Sequence, residues 1–457
     1  MSGPRHVAVV DIGKTNAKLA LVDLEHRAEI DQRRTPNKAR ADGPYPHYDV
    51  ESLWRFILDS LATFARRHPL SAISVTTHGA TAALLDRHGG LALPVLDYEH
   101  EGPQGTAARY EALRPSFSET GSPRLPGGLN LGAQIFWQQS AFPDAFARTA
   151  AILPYPQYWA WRLSGVAASE VTSLGCHTDL WSPAARDFSS LVLAMGWRSL
   201  MPPLAAASAR LGPVLPEVAH AAALDPATPV LCGVHDSNAS LLPHLLARRP
   251  PFSVVSTGTW VVTMAVGGGS PKLDPERDTL VNVNVFGDPV PSARFMGGRE
   301  FATLTQGLDG CTEEEMRTVL AGRLLLLPSV QPGCGPYPAR RSSWSQMPAT
   351  AGTRYAAACF YLAMMTATCL DLVAAQGPTV VEGPFAGNTL FTRMLAAATG
   401  RDVLVAPADS TGTAIGAALL AAGTPHTAQQ EASPVGDPGE AWQAYAAAWR
   451  AAVAQTP

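Results

Sequence analysis

The strongest constraint on how this chain can fold is a pattern that it writes twice. Val7–Leu24, VAVVDIGKTNAKLALVDL, is an apolar run, a short turn Asp-Ile-Gly-Lys-Thr-Asn, and a second alternating apolar run. Apolar alternation on either side of a Gly-containing turn predicts a β-hairpin. Ser253–Val266, SVVSTGTWVVTMAV, repeats the pattern around Ser-Thr-Gly-Thr. One copy lies in each half of the chain, and no shorter repeat or low-complexity tract accompanies them. At 457 residues the chain is too long for one core and suits two domains of roughly 200 residues each. The boundary is expected near 235–250, giving domains of 1–240 and 241–457.

Composition narrows the class. Hydrophobic content of 46% against 16% charged residues describes a globular chain with a large interior. A formal charge of −4 gives no electrostatic reason to bind nucleic acid or an anionic membrane. Arg33-Arg34 and Arg340-Arg341 read as solvated loop charges. The N-terminus runs into a strand without the apolar core of a signal peptide. No apolar run approaches the ~20 residues of a membrane span. The six cysteines form no CxxC pairs, so they read as free core thiols in a cytoplasmic protein.

Between the hairpins, Val50–Arg67 predicts an amphipathic helix, and Ala72–Val75 and Leu91–Leu96 predict strands. Residues 101–130 read as an elaborated loop, and 132–165 as largely helical. Pro229–Val234 is a buried strand that delivers His235-Asp236 before a helix Ser237–Ala247. The second half repeats the theme. It has a long helix Arg354–Ala375, strand Thr379–Glu382, helix Asn388–Thr399, strand Val403–Val405 and a small-residue helix Thr411–Ala422. A surface helix Glu440–Ala454 lies in the tail after Gly423.

The turns carry the chemistry. Backbone N–H groups at Gly13 and Gly258 can approach phosphate oxygens with no side chain in the way. Thr15, Asn16, Thr257 and Thr259 add neutral donors, and Lys14 or Lys18 could add positive charge. Asp11 repels a polyphosphate directly, so its use would be to hold Mg²⁺ or the water around it. One such turn is an ordinary hairpin feature; two of them suggest a nucleotide clamped between paired domains. The P-loop pattern and GxGxxG after a strand are both absent. Asp236, at a strand end, either caps the following helix or takes a proton from an attacking hydroxyl, and His235 stands beside it. Thr77, His78, Asp97, Glu99 and His100 gather polar groups at strand ends, suited to a sugar. Gly383, Gly387 and Asn388 link a strand to a helix and could admit adenine.

These residues together resemble the FGGY carbohydrate kinases. The likeness rests on Asp11–Lys18, on Arg162–Gly165 with Ser169-Glu170 and Thr172-Ser173, and on Gly233–Ser237. Ser256–Trp260, Glu382–Asn388 and Ser410–Ala417 complete it. His235-Asp236, Ser256-Thr257-Gly258-Thr259-Trp260 and Thr76-Thr77-His78-Gly79 are most similar to L-fuculokinases and L-rhamnulokinases. The resemblance implies an α/β fold of two actin/hexokinase-like (ribonuclease H-like) domains with a central cleft, closing over ATP and a ketose. It implies Asp236 as general base and Asp11 for Mg²⁺; Thr77, His78, Asp97 and His235 are the candidate sugar contacts read from the residues themselves. A 6-deoxyketose is the expected acceptor, with a pentulose or polyol as alternative, or a non-catalytic sensor on the same scaffold. The expected partner is the small-molecule sugar, with room for a homodimer and no role for nucleic acid or membrane. Lys14 replaces a small residue of the family, Thr81 an aspartate of the deoxyketose kinases, and Pro384 one of a glycine run.

Overall fold

In the computed structural model, residues 5–406, 412–422 and 432–456 are described. The expected tail after Gly423, and Ser410 and Thr411 of the last motif, lie partly or wholly outside them. The chain forms two compact units. The first comprises residues 5–247, 281–289 and 412–422, and the second 248–280, 290–406 and 432–456.

Both predicted hairpins form. In the first unit, His6–Ile12 pairs antiparallel with Asn16–Asp23, which pairs antiparallel with Ala28–Pro36. On its other edge His6–Ile12 runs parallel to Ala72–Thr77, in the register Val7↔Ala72 to Ile12↔Thr77. Pro229–Leu231 and then Val234–His235 extend the sheet, parallel to Ala72–Thr77. The second unit repeats this arrangement. Phe252–Thr257 pairs antiparallel with Val261–Val266, which in turn pairs with Pro289–Phe295. Phe252–Thr257 also runs parallel to Thr379–Glu382, which runs parallel to Val403–Val405. The strand order third, second, first, fourth, fifth in both units is that of ribonuclease H-like domains. The repeated sequence thus encodes a repeated supersecondary unit. In both copies the parallel strand beside the hairpin ends in candidate site residues, Thr77-His78 in one and Glu382-Gly383 in the other.

The period of two decides which side chains face which layer. Ala8, Val10 and Ile12 pack with helices Val50–Ala65, Tyr155–Ser164 and Pro216–Ala222. Val7 and Val9 face helices Asp236–Ala247 and Thr413–Leu419. Each such valine or isoleucine contributes roughly 1.5–3 kcal/mol on burial. Gly416 is required by packing, since a Cβ there would lie 1.8 Å from the Ala239 carbonyl oxygen. In the second unit, Ala351–Leu372 is long and apolar enough to cross a membrane by length and composition alone. Its residues from Ala356 to Ala367 are buried in the core of that unit.

Some elements differ from expectation. Thr149–Pro154 is a strand pairing with Ala82–Asp86, set between helices Leu131–Ala141 and Tyr155–Ser164. A short apolar run does not distinguish strand from helix by periodicity, and here cross-strand pairing decides. Residues 101–130 are not all loop but carry short helical turns at Gly102–Thr106, Ala107–Glu111 and Phe117–Thr120. The strand at Leu91 stops at Leu93, before Pro94.

Candidate active site

The first hairpin turn is closed by a hydrogen bond from Gly13 N–H to the Asn16 carbonyl at 2.9 Å. Asn37, which the sequence did not single out, fixes it from behind. Its Nδ2 donates to the Gly13 carbonyl at 2.8 Å, and its N–H donates to the Thr15 carbonyl at 2.9 Å. Thr15 and Asn16 are exposed at the tip. Lys14 turns away from that tip. Its ammonium is ion-paired with Asp97, lies 3.2 Å from Glu99, and sits 4.8 and 5.4 Å from the Tyr98 and Tyr48 ring centres. Both tyrosines are additions to the expected site. Asp97 also accepts from the Glu99 N–H at 3.1 Å and from the Tyr48 hydroxyl at 3.5 Å.

His78 belongs to the same cluster, its ring 5.3 Å from both Tyr48 and Tyr98. Burial pushes its pKa down to about 4, so it is neutral at pH 7. Nδ1 lies 2.8 Å from the Gly79 carbonyl, which only accepts, so the proton is on Nδ1. Nε2 is then a buried acceptor, and it has no partner among the described residues. Thr77 donates to the His78 carbonyl at 2.9 Å and so shapes the strand end.

Asp236 opens its helix with a half-exposed carboxylate, 36% accessible, and Oδ1 accepts from Ser237 N–H at 2.6 Å. His235 Nε2 lies 3.2 Å from the same oxygen. Burial alone would lower the His235 pKa, but Cys176, Asp236 and Glu170 outweigh it and hold the imidazole above its usual range. Gly79 makes room for this pair, because a Cβ there would lie 2.7 Å from His235 Nε2. Asp11 is also close enough to feel Asp236. Burial first, and Asp236 after it, raise Asp11 to about 6 against the opposing Lys18. Lys18 is 4.0 Å from Asp11 but closer, at 2.8 Å, to Glu29.

In the second unit the turn is closed by Gly258 N–H to the Trp260 carbonyl at 2.9 Å. Thr257 ties it to the next strand end: its hydroxyl donates to the Glu382 carbonyl at 2.6 Å and accepts from Phe385 N–H at 3.1 Å. Gly383, at φ +81°, lies against Thr257, where a Cβ would meet the Thr257 carbonyl at 2.1 Å. Pro384 starts a 3₁₀ turn to Gly387. Thr259 is exposed, and Gly387 faces open space. Asn388 caps helix Thr389–Thr399 by accepting from Phe391 N–H at 3.0 Å, and its Nδ2 faces Tyr355 and Cys359. Its side chain is therefore engaged within the fold. Gly298 was missed in the sequence. It packs on the turn so tightly that a Cβ would lie 2.1 Å from the Gly258 carbonyl; the available signal was the Gly297-Gly298 pair just after a strand.

Residues 6–243 match the N-terminal domain of the FGGY family of carbohydrate kinases, and residues 249–431 match the FGGY C-terminal domain. The chain belongs to the FGGY family. L-fuculokinase of Salmonella typhi is 26% identical over 273 residues, and that of Escherichia coli K12 is 24% identical over 270. These matches span 57% and 56% of the chains, so the chain spans a little over half the length of the curated relatives it matches. A carbohydrate kinase from Novosphingobium aromaticivorans is similar over 99% of both chains, at 37% identity and a TM-score of 0.91. A xylulose kinase from Lactobacillus acidophilus shares the FGGY fold, at a TM-score of 0.79 and 15% identity over 99% of both chains.

Proposed function

We propose that this FGGY protein transfers the γ-phosphoryl group of ATP to a hydroxyl of a ketose, with Asp236 as the base. The observation that carries this reading is the cluster in the first unit: an accessible Asp236 beside His235, with the unpartnered His78 Nε2 and the Lys14–Asp97 pair. A sugar hydroxyl donates to His78 Nε2, and others contact Asp97 and Lys14. The acceptor oxygen attacks the γ-phosphorus, its proton passes to Asp236, and ADP leaves. Positioning and charge neutralisation supply most of the acceleration.

The turns at Gly13–Asn16 and Thr257–Thr259 are assigned to the phosphates, and Gly383 and Gly387 to the adenine side. Asp11, an oxygen-donor carboxylate in strand His6–Ile12 just before the first turn, would hold Mg²⁺ or its waters. Bound with ATP, Mg²⁺ would neutralise phosphate charge. All six cysteines are free, which suits the reducing cytoplasm where ATP is abundant.

The likeness to L-fuculokinases favours a 6-deoxyketose such as L-fuculose or L-rhamnulose. A second reading, a pentulose or polyol acceptor, is favoured by Thr81. It places a neutral, buried hydroxyl, without a partner among the described residues, where the deoxyketose kinases carry aspartate. A panel of 6-deoxyketoses, pentuloses and polyols with ATP and Mg²⁺, followed by ADP release, tests both. Release with a 6-deoxyketose supports the first reading and release only with pentuloses or polyols the second. Sugar binding without ADP release across the panel would overturn the kinase assignment.

A further inference from the structure

The strand that delivers Asp236 is broken. Pro229–Leu231 pairs with Ala72–Thr77, and pairing resumes at Val234–His235. Between them Gly233 has φ +88°, and a Cβ there would lie 2.7 Å from the Val75 carbonyl. A break inside a buried sheet strands backbone groups, at about 1–3 kcal/mol for each left unpaired. Here every neighbour is accounted for. Cys232 and Gly233 N–H donate to the Ala209 and Ala207 carbonyls at 2.9 and 3.2 Å. Their own carbonyls both accept from Gln157 Nε2, at 3.2 and 3.3 Å. His235 N–H donates to Thr172 Oγ1 at 3.0 Å.

The Thr172 hydroxyl has its direction fixed. It donates to Glu170 Oε2 at 2.5 Å, which leaves its lone pair for His235 N–H. Glu170 Oε2 also accepts from Ser173 N–H at 3.2 Å and so caps the four-residue helix Val171–Leu174. Gln157, Glu170 and Thr172 are all completely buried. A serine or threonine would cap so short a helix at far lower desolvation cost than a buried carboxylate. The carboxylate is explained by its second task, orienting the one hydroxyl that holds the backbone next to Asp236.

We infer that Gln157, Glu170 and Thr172 form a buried bracket on the broken strand that aims Asp236, and are positioning residues for phosphoryl transfer. This rests on Asp236 being the base. Misplacing a catalytic group by about 1 Å can cost 10²-fold in rate without touching ground-state binding.

The test is steady-state kinetics of Thr172→Val, Thr172→Ser and Gln157→Met, of Asp236→Asn, and of Asp236→Asn combined with Thr172→Val. Leu61→Ala, a core substitution away from the bracket, controls for general destabilisation. Thr172→Val and Gln157→Met should lower kcat about 10-fold or more, with both KM values within about threefold. Thr172→Ser should restore kcat to within about threefold, and Leu61→Ala should lower Tm while leaving kcat at 25 °C near wild type. In the Asp236→Asn background Thr172→Val should change residual turnover less than about twofold, because its effect passes through Asp236. Wild-type kcat in both bracket variants, or an undiminished Thr172→Val effect in that background, would overturn the inference. Near-wild-type turnover of Asp236→Asn alone would instead remove the base assignment on which it rests.

Discussion

Lys14 departs from the family inside the most diagnostic motif, and the structure makes a sharp prediction about it. Lys14→Met keeps the aliphatic stem but removes the ammonium that is paired with Asp97 and lies 3.2 Å from Glu99. Both partners in the main pair are mostly buried, at 20% and 11% side-chain exposure. The pair therefore sits between a surface bridge of 0–1 kcal/mol and a broken buried one of 3–5, so about 2 kcal/mol of stability should be lost. Freed of its partner, Asp97 no longer holds its place in the proposed sugar cluster, and the ketose KM should rise roughly tenfold, or about 1.4 kcal/mol. The ATP KM should stay within about threefold, because Lys14 is turned toward Asp97 and Glu99 and away from the tip of its turn. Were Lys14 a phosphate ligand, its removal would cost about 1.5–3 kcal/mol of charge-assisted bonding. Initial rates with each substrate varied in turn, alongside urea unfolding, separate the two. A tenfold rise in ATP KM with an unchanged ketose KM would refute the reasoning.

Gly298→Ala places a Cβ 2.1 Å from the Gly258 carbonyl, a backbone atom with no flexible end. It should raise the ATP Kd at least about tenfold and leave ketose binding unchanged, as read by calorimetry with each ligand. Glu300 is 1% exposed, accepts from Gln331 N–H at 2.9 Å, and is raised by burial from 4.5 to about 7. Its folded-state pKa lies above the unfolded value, so its protonated form favours folding. That contribution is complete below pH 4.5 and is lost as the pH rises through 7. Glu300→Gln should flatten this slope, which has an upper bound of about 3 kcal/mol, in denaturant titrations from pH 5 to 8. An unchanged slope would show that Glu300 is not the titrating group.

Much of the fold was legible because it is written in strong local signals. The alternation in Val7–Leu24 and Ser253–Val266 specified both hairpins, and Gly13 and Gly258 marked their turns. Thr149–Pro154 and Ala28–Pro36 were not legible. The first is a short apolar run whose state is set by pairing with Ala82–Asp86, and the second is a charged strand with little apolar period. The same divide runs through the site. Asp236, His78 and Asp97 stood out as polar groups at strand ends. The destination of Lys14 depends on Asp97 and Glu99, more than 80 residues away, and no local pattern records that meeting. Asn37, Gln157 and Tyr48 act through contacts with residues distant in the chain, which only the fold brings about.

The central claim is that Asp236 serves as base in phosphoryl transfer from ATP to a ketose. Its most direct test is ADP release by the wild-type protein and by Asp236→Asn, at saturating ATP, Mg²⁺ and the best acceptor of the panel, with ATP binding measured on both. The account predicts that turnover falls by about 10²–10⁴-fold while ATP binding is unchanged. Turnover by Asp236→Asn within a few-fold of wild type would contradict it.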